Sequence, residues 1–229
     1  MVSDVRVVIA SPHTRHDALE ENVREHLEVE VLRVRTPSEL NISTLADFKP
    51  QFVFFPHWSW KIPAEIYEGF ECVIFHMTDL PFGRGGSPLQ NLIVRGISET
   101  QLTALRCVAA LDAGPIYMKR PLSLLGTAEE ILLRASKLTE EMIERIMREQ
   151  PVAQPQVGAP TIFQRRTLQD GDLAQLSELE KVFDYIRMMD ADGYPPAFIE
   201  TEHFRLEFSR ASFKLDSVIA DVKIFRKKT

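Results

Sequence analysis

A chain of 229 residues, of which 45% are hydrophobic and 26% charged, has the composition of an ordinary soluble globular protein. This length predicts one large domain, or one domain with a small appendage. The net charge of −6 and the pI of about 5.6 disfavour a protein whose main partner is nucleic acid, because phosphate binding depends on clustered Lys and Arg.

The chain start and the cysteines favour a cytoplasmic protein. Asp4 places an acid early, which does not fit the basic start of a signal peptide. No apolar run approaches the roughly 20 residues that a membrane-spanning helix needs. Cys72 and Cys107 lie inside apolar runs, so we expect buried, reduced thiols.

Strand and helix patterns alternate in the first part of the chain. Strands are predicted over residues 5–10, 29–34, 50–55 and 72–75, with helices over 18–27, within 37–48 and from 63. A helix over 89–96, extended segments over 100–108 and 116–122, and a long helix over 127–150 follow. This order predicts an α/β fold with a Rossmann-like, mostly parallel sheet and helices on both faces over residues 1–150.

The rest of the chain predicts a linker and a small second unit. Residues 151–164 begin with a proline-rich stretch and are predicted to be the linker. Residues 165–229 predict a small C-terminal α+β, β-rich subdomain. Its predicted elements are a turn at 170–172, a helix over 176–189, a rigid turn over 193–198, and short strands over 204–208, 211–215 and 221–224.

Chemistry is expected in the segment 76–88, which follows the fourth predicted strand. His76, Thr78 and Asp79 arrive where that strand ends, and a loop with three glycines and one arginine comes next. Ligands of open α/β sheets bind beyond the carboxyl ends of strands. His76 is the leading general acid–base candidate, and Asp112 is expected to orient it or a water. A capped turn, with Thr78 and Asp79 bonding local amides, is the open alternative.

Other polar and aromatic residues leave alternatives open. The two tryptophans, Trp58 and Trp60, either fill the core of a loop or form an aromatic wall for a flat ligand. His13 and His16 lie in surface-like polar sequence, and no third ligand is evident beside them, so no metal site is expected. Phosphate-binding and dinucleotide-binding glycine motifs are absent from the sequence.

Three spaced motifs resemble those of the formyltransferases that use 10-formyltetrahydrofolate. The first, of the form His-x-Ser/Thr-x-Leu-Pro-x-x-Arg-Gly-x-x-Pro, comprises His76, Thr78, Leu80, Pro81, Arg84, Gly85 and Pro88. The second is the segment from Asp112 to Ile116. The third comprises Arg166, Asp170, Gly171, Ile186, Arg187 and the run from Pro195 to Phe198. The resemblance covers nearly the whole chain and implies the formyltransferase fold.

The resemblance implies roles for named residues. His76, Asp112 and Thr78 would be the catalytic residues. The folate donor would lie against two loops, formed by Trp60, Lys61 and Ile62 and by Ala109, Ala110 and Leu111. The acceptor side would include Arg84, Gly85, Gly86, His57 and Asn91. The donor would be 10-formyltetrahydrofolate, and no metal is implied.

One position departs from the family pattern. The family has Asn two residues before the histidine, and this chain has Ile74, which cannot hydrogen-bond the formyl oxygen. Either another group supplies that contact, with Thr78, His57 and Asn91 as candidates, or the chain is an inactive relative. We expect a substitute, because His76, Asp112 and the loop between them are present.

The amino-acid sequence of segment 76–88 is similar to that of the N-formyltransferases of the pseudaminic-acid pathway. Together with the acidic charge, this similarity predicts a small-molecule amino sugar, linked to a nucleotide, as acceptor, with no nucleic-acid or membrane partner. The alternatives are a methionyl-tRNA formyltransferase, a catalytically silent folate or nucleotide-sugar binder, and a hydrolase of formyl-folate. The C-terminal part either shapes the acceptor site or forms a contact in a homodimer.

Overall fold

The structure of this chain is a computed structural model that describes residues 5–227. The acidic start at Asp4, and Lys228 and Thr229 at the other end, lie outside the described residues. Within that range the chain forms two compact units. The first comprises residues 5–85, 101–122 and 133–162, and the second comprises 86–100, 123–132 and 163–227. The linear domain boundaries at 150 and 165 stay a prediction.

The regular elements agree with the predicted alternation of strands and helices. The strands are β1 (Arg6–Ala10), β2 (Glu30–Val34), β3 (Phe52–Phe55), β4 (Cys72–His76), β5 (Arg84–Gly85), β6 (Glu99–Arg106), β7 (Ile116–Ser123), β8 (Ile162–Phe163), β9 (Ala197–Glu200), β10 (Phe204–Phe213) and β11 (Val218–Arg226). The helices are α1 (Asp17–Leu27), α2 (Ile42–Phe48), α3 (Ala64–Gly69), α4 (Pro88–Ile93), α5 (Ala128–Glu149) and α6 (Leu179–Arg187). Short 3-10 turns lie at Thr14–His16 and Leu168–Gly171.

A six-stranded sheet in the order β2-β1-β3-β4-β6-β7 forms the centre of the first unit. Strand β1 pairs in parallel with β2 and β3, and β3 pairs in parallel with β4. Strand β4 pairs with β6 in the antiparallel direction. The predicted mostly parallel α/β sheet is confirmed.

Helix α5 shows how the sequence specifies its own boundaries. The Thr127 backbone N–H donates to Glu130 Oε2 at 2.8 Å, and the Glu130 N–H donates to Thr127 Oγ1 at 3.3 Å, which together form a capping box. The apolar stripe of this helix, including Met142, Ile143 and Ile146, is fully buried. None of the helices between residues 5 and 227 combines the length and the hydrophobicity that crossing a bilayer requires.

One apolar cluster of the first unit includes residues of β4, the strand that ends at His76. It includes Phe55, Ile62, Cys72 and Cys107, and Ile74 packs against it. Both cysteines are free and buried, as predicted. Burial, and then the charge of Asp112, raise the pKa of the Cys107 thiol to about 11, so this thiol remains protonated at neutral pH.

The second unit contains a three-stranded sheet in the order β11-β10-β9, with antiparallel pairing throughout. Two predictions about it are wrong. The predicted rigid turn over 193–198 already contains the start of β9 at Ala197. The two short strands predicted over 204–208 and 211–215 form the single strand β10, because a bulge between Ser209 and Ser212 absorbs the irregular register.

Candidate active site

His76 is the last residue of β4, and its side chain is buried, with 8% of the residue exposed. Its Nε2 lies 2.8 Å from the Gly83 carbonyl oxygen. A carbonyl oxygen can only accept, so Nε2 carries a proton. The other ring nitrogen, Nδ1, lies 3.6 Å from Asp112 Oδ2. The imidazole therefore connects the glycine-rich loop to a buried carboxylate.

A loop, rather than a strand end, brings Asp112 to His76. Because β4 and β6 are antiparallel, His76 pairs with Thr103, and β6 ends at Arg106, opposite Val73. The loop after Arg106 must therefore travel back over about three residues of strand, roughly 10 Å, to place Asp112 beside His76. Asp112 itself adopts a left-handed backbone conformation, with φ of 50°. The rule that sites lie at carboxyl strand ends does not account for this carboxylate.

Five hydrogen bonds, made by Gly85, Gln156 and Arg84, hold the loop in place. The Gly85 N–H donates to Asp112 Oδ2 at 2.9 Å. Gln156 Nε2 donates to the carbonyl oxygens of Asp112 and Gly114, both at 2.8 Å. Gln156 Oε1 accepts from Arg84 at 3.1 and 2.7 Å. Sequence reasoning missed Gln156, because a glutamine in a proline-rich segment matches no motif.

The loop also depends on Gly114. A Cβ at this position would lie 1.9 Å from the Arg106 carbonyl oxygen, which is backbone and cannot rotate away. We expect Gly114→Ala to displace the Asp112 loop and to lower the free energy of unfolding by about 3 kcal/mol, as overpacking does. Urea unfolding measures this change, and Gly69→Ala is the matched control, since its Cβ would meet only Ile42 at an ordinary 3.9 Å. Equal stabilities for the two variants would contradict the assignment.

Thr78 and Asp79 make other contacts than the capped turn predicts. Thr78 is fully buried, and its hydroxyl donates to the Gly83 carbonyl oxygen at 3.4 Å. Its backbone carbonyl accepts from the Thr103 hydroxyl at 2.7 Å. Asp79 is exposed and pairs with Lys119 at 2.5 Å. The Thr78 hydroxyl lies beside the same carbonyl oxygen as His76 Nε2.

In the second unit, Gly86 and Asn91 have local roles. A Cβ on Gly86 would lie 2.6 Å from the Cβ of Arg165, so this position is closely packed. The buried Asn91 amide donates to the carbonyl oxygens of Gly86, Ser87 and Gln164, at 2.8 to 3.1 Å. This nitrogen is fully used by backbone acceptors.

The two expected donor loops expose flat and apolar surface. In the first loop, Trp60 is 44% exposed and Lys61 is exposed, while Ile62 is buried. In the second loop, Leu111 is 71% exposed, and its neighbours Ala109 and Ala110 are also exposed. Exposed Trp and Leu side chains on two loops of one unit are the kind of surface that a flat ligand covers.

Trp58 differs from Trp60. It packs against the apolar cluster that contains Ile74, with its ring centroid 5.9 Å from that of Phe55 and 4.8 Å from that of Trp60. Its Nε1 is buried and has no hydrogen-bond partner within residues 5–227. An unsatisfied buried N–H is costly, so it marks a position where a ligand acceptor would be favourable.

Three histidines meet in the first unit, which the sequence did not reveal. His57, a candidate for the acceptor side, has its ring centroid 4.4 Å from that of His13, and His13 lies 6.5 Å from His16. The prediction that His16 is a surface residue is wrong, because it is only 3% exposed. Burial, and then the charges of His57 and Arg33, lower the pKa of His16 to about 2. Burial also lowers the pKa of His57, to about 3.

This burial predicts acid sensitivity. The unfolded chain binds a proton at His16 below about pH 6.5, while the folded chain leaves it neutral down to about pH 2. The contribution is therefore fully present above pH 6.5 and is lost as the pH falls. Between pH 7.5 and 5.5 we expect His16 alone to remove about 1.4 kcal/mol from the free energy of unfolding. Because His57 contributes a similar loss, urea titrations should show a loss in His16→Gln that is smaller by about 1.4 kcal/mol than in wild type and in the exposed-site control His203→Gln; an equal loss in all three proteins would refute it.

One group in the described range has the spacing of metal ligands: His26, Glu140 and Glu144. Its members already pair with protein groups. Glu144 contacts His26 at 2.8 Å and Arg148 at 3.3 Å, and Glu140 contacts Lys137 at 2.5 Å. Lys137 and Arg148 offset the charge of the two acids, so the group has the features of an ion-pair network.

The chain is similar to known proteins over most of its length. A family model described as "Methionyl-tRNA formyltransferase, C-terminal domain" matches residues 168–225. The methionyl-tRNA formyltransferase of Wolinella succinogenes is 25% identical over 160 residues, which are 67% of this chain and 51% of that protein. This chain therefore spans about half the length of the curated relatives it first matches.

Solved structures give more complete matches. The methionyl-tRNA formyltransferase from Clostridium thermocellum is 45% identical, covers 97% of this chain and 100% of its own, and has a TM-score of 0.95. HypX from Aquifex aeolicus, in complex with tetrahydrofolic acid, shares the fold at 18% identity, with a TM-score of 0.75 over 91% of this chain and 38% of its own. The chain thus shares the fold of both proteins. By its match to the Clostridium protein, this chain belongs to the formyltransferase family.

Two expectations about the acceptor are wrong. An amino sugar as acceptor, and the absence of a nucleic-acid partner, conflict with the matches to methionyl-tRNA formyltransferases at 45% and 25% identity. Sugar N-formyltransferases share the fold at only 12–17% identity. Net charge misled because it sums the whole surface, whereas phosphate binding depends on local groups. The expected donor agrees with the family, because formyltransferases use 10-formyltetrahydrofolate.

Proposed function

We propose that this chain transfers a formyl group from 10-formyltetrahydrofolate to the amino group of methionyl-tRNA. The observation that carries this proposal is the 45% identity to a methionyl-tRNA formyltransferase over the full length of that structure. The presence of His76 and Asp112 at 3.6 Å supports an active rather than a silent relative. The amine nitrogen forms a bond to the formyl carbon and loses a proton, while the bond from that carbon to the folate nitrogen breaks and the leaving tetrahydrofolate takes up a proton. This pair can accept the first proton and return it to the leaving nitrogen.

The roles of the two residues follow from their contacts. Asp112 Oδ2 accepts from Gly85 and faces His76, which fixes the carboxylate in one orientation. Asp112 Oδ1 has no hydrogen-bond partner in the described part of the chain and is the oxygen that would receive the amine N–H. His76 would take up the proton at Nδ1, since Nε2 already donates to Gly83. The imidazole and the carboxylate thus work as a unit.

The exposed surfaces of Trp60 and Leu111 would hold the folate. The donor supplies an activated formyl group when it is bound. The protein's part is to cover the flat ring system and to exclude water, which apolar walls do well. Lys61, exposed beside Trp60, would contact an anionic part of a ligand.

Ile74 leaves the formyl oxygen without the amide donor of the family pattern. Among the substitutes expected from the sequence, the Asn91 amide is used by backbone carbonyls, and the Thr78 hydroxyl already donates to Gly83. Trp58 Nε1 is a buried, unpaired N–H that packs on the same apolar cluster as Ile74. We assign it the contact to the formyl oxygen, where a fixed N–H stabilises developing negative charge.

A transfer assay with four acceptors tests the function. The protein and formyl-labelled 10-formyltetrahydrofolate are incubated with methionyl-tRNA, deacylated tRNA, free methionine or a nucleotide-linked amino sugar. We expect label on methionyl-tRNA alone. Folate binding without transfer to any acceptor would identify a silent binder, and release of formate without acceptor would identify a hydrolase. Either result would overturn the proposal.

A further inference from the structure

Strand β11 leaves one edge of the three-stranded sheet uncovered. It is the outer strand in the order β11-β10-β9 and is nine residues long. Four of its large apolar side chains are exposed: Ile219 by 59%, Val222 by 46%, Ile224 by 62% and Phe225 by 48%. A long, apolar strand with unpaired N–H and C=O groups is a template for another strand, and proteins generally cover such an edge.

The hydrogen-bond pattern tells which residues face outward. The Lys227 N–H donates to the His203 carbonyl oxygen at 3.0 Å, so this pair lies at a hydrogen-bonded position of the ladder. Hydrogen-bonded positions alternate along an antiparallel pair. Phe225, Lys223 and Asp221 therefore turn their backbone groups towards β10. The intervening residues, with Val222 at the centre, present their N–H and C=O groups to the open edge.

The sequence of β11 is complementary to itself about Val222. When two copies of the strand run antiparallel with Val222 opposite Val222, the two central residues exchange both backbone hydrogen bonds. Asp221 of each copy then stands opposite Lys223 of the other, at a position where side chains approach most closely. Ile219 stands opposite Phe225, and Ala220 opposite Ile224. The alignment joins opposite charges and matches apolar residues on both faces.

Neighbouring registers are unfavourable for electrostatic reasons. Centring the pair on residue 221 places two aspartates opposite each other, and centring it on residue 223 places two lysines opposite each other. Like charges directly opposite each other destabilise a sheet. In both of these registers Ile219 and Phe225 no longer face each other, and each lies opposite a polar or charged residue. The charges of β11 therefore select one register.

We propose that two copies of this chain associate through β11, in antiparallel pairing centred on Val222, to form a continuous six-stranded sheet. A two-fold axis through Val222 makes the contact closed and symmetric, which is the usual form of a homodimer. Asp221 also pairs with Arg210 in its own chain. A carboxylate offers two oxygens and accepts from both Arg210 and the Lys223 of the other copy. The inference does not depend on the proposed enzymatic function.

Variants that reverse the charge of Asp221 or Lys223 test the proposal. Sedimentation equilibrium of the full chain measures the mass of the assembly that each variant forms. Wild type should have about twice the 26.2 kDa mass of one chain. Asp221→Lys and Lys223→Asp should each raise the dimer dissociation constant by at least about tenfold, because both symmetric pairs become repulsive. An equimolar mixture of the two variants should restore the dimer, since each then meets the opposite charge. Arg210→Ala is the control for the lost intrachain pair and should remain dimeric.

Three results would overturn the proposal. A monomeric wild type at micromolar concentrations would show that the edge is not a self-association surface. Unchanged association of the single variants would place the interface elsewhere. Failure of the mixture to recover, with both variants folded by circular dichroism, would reject the register.

Discussion

Replacing His76 with Ala is expected to lower kcat/KM for formyl transfer by about 10²–10⁴-fold. The imidazole is buried, lies at the end of a central strand and is held between Gly83 and Asp112, so no other titratable side chain replaces it there. Asp112→Asn should fall in the same range, because the amide keeps the shape but carries no negative charge to stabilise the protonated imidazole of His76. Steady-state rates with varied methionyl-tRNA measure both effects.

Non-additivity distinguishes a catalytic pair from two separate structural roles. The double variant should be little slower than either single one, because the two groups act as a unit. His203→Ala is the matched control, since the side chain of this histidine is 71% exposed and lies in the second unit. Full activity of His76→Ala, or a clear loss in His203→Ala, would contradict the assignment.

Replacing Trp58 with Phe is expected to lower kcat by about 10²-fold with little change in KM for the folate. The substitution keeps a ring in the apolar cluster and removes one N–H, and loss of one donor to a developing oxyanion has effects of roughly this size. Trp60→Phe is the comparison, because Trp60 is exposed and is assigned to the folate wall. That variant should raise KM and leave kcat close to wild type.

The two tryptophan variants are expected to change different kinetic constants, kcat for Trp58→Phe and KM for Trp60→Phe. A rise in KM for both variants would mean that Trp58 is only part of the wall. Unchanged kinetics in Trp58→Phe, with normal thermal unfolding, would leave the formyl oxygen without an assigned donor and would return attention to Ile74.

The fold could be predicted to a large extent from local patterns. Strands β1 to β4 and helix α5 follow from runs of apolar residues and from the Thr127–Glu130 cap, because both signals act over a few residues. Strand β10 could not be predicted as one element. Its bulge places Arg210 at φ of 53°, so the alternation of side chains breaks in the middle and suggests two strands.

The site was predictable only in part, because its main contacts join residues that are far apart in the sequence. His76 stands at a strand end, which the sequence shows. The contact of Asp112 with His76 depends on a loop that returns past Gly114, and the support from Gln156 crosses more than 40 residues of sequence. The buried His16 likewise contacts Ser136, with its Nδ1 2.7 Å from a hydroxyl 120 residues away in the sequence. Contacts of this range leave no periodic signal.

The most direct test of the central claim is mass spectrometry of the product. Purified protein is incubated with methionyl-tRNA and a donor whose formyl carbon is isotopically labelled. The methionine is then released from the tRNA, and its mass is measured. The account predicts formylmethionine that carries the label with wild type, and unmodified methionine with His76→Ala prepared in the same way. Unmodified methionine with wild type, or equal labelling by both proteins, would contradict it.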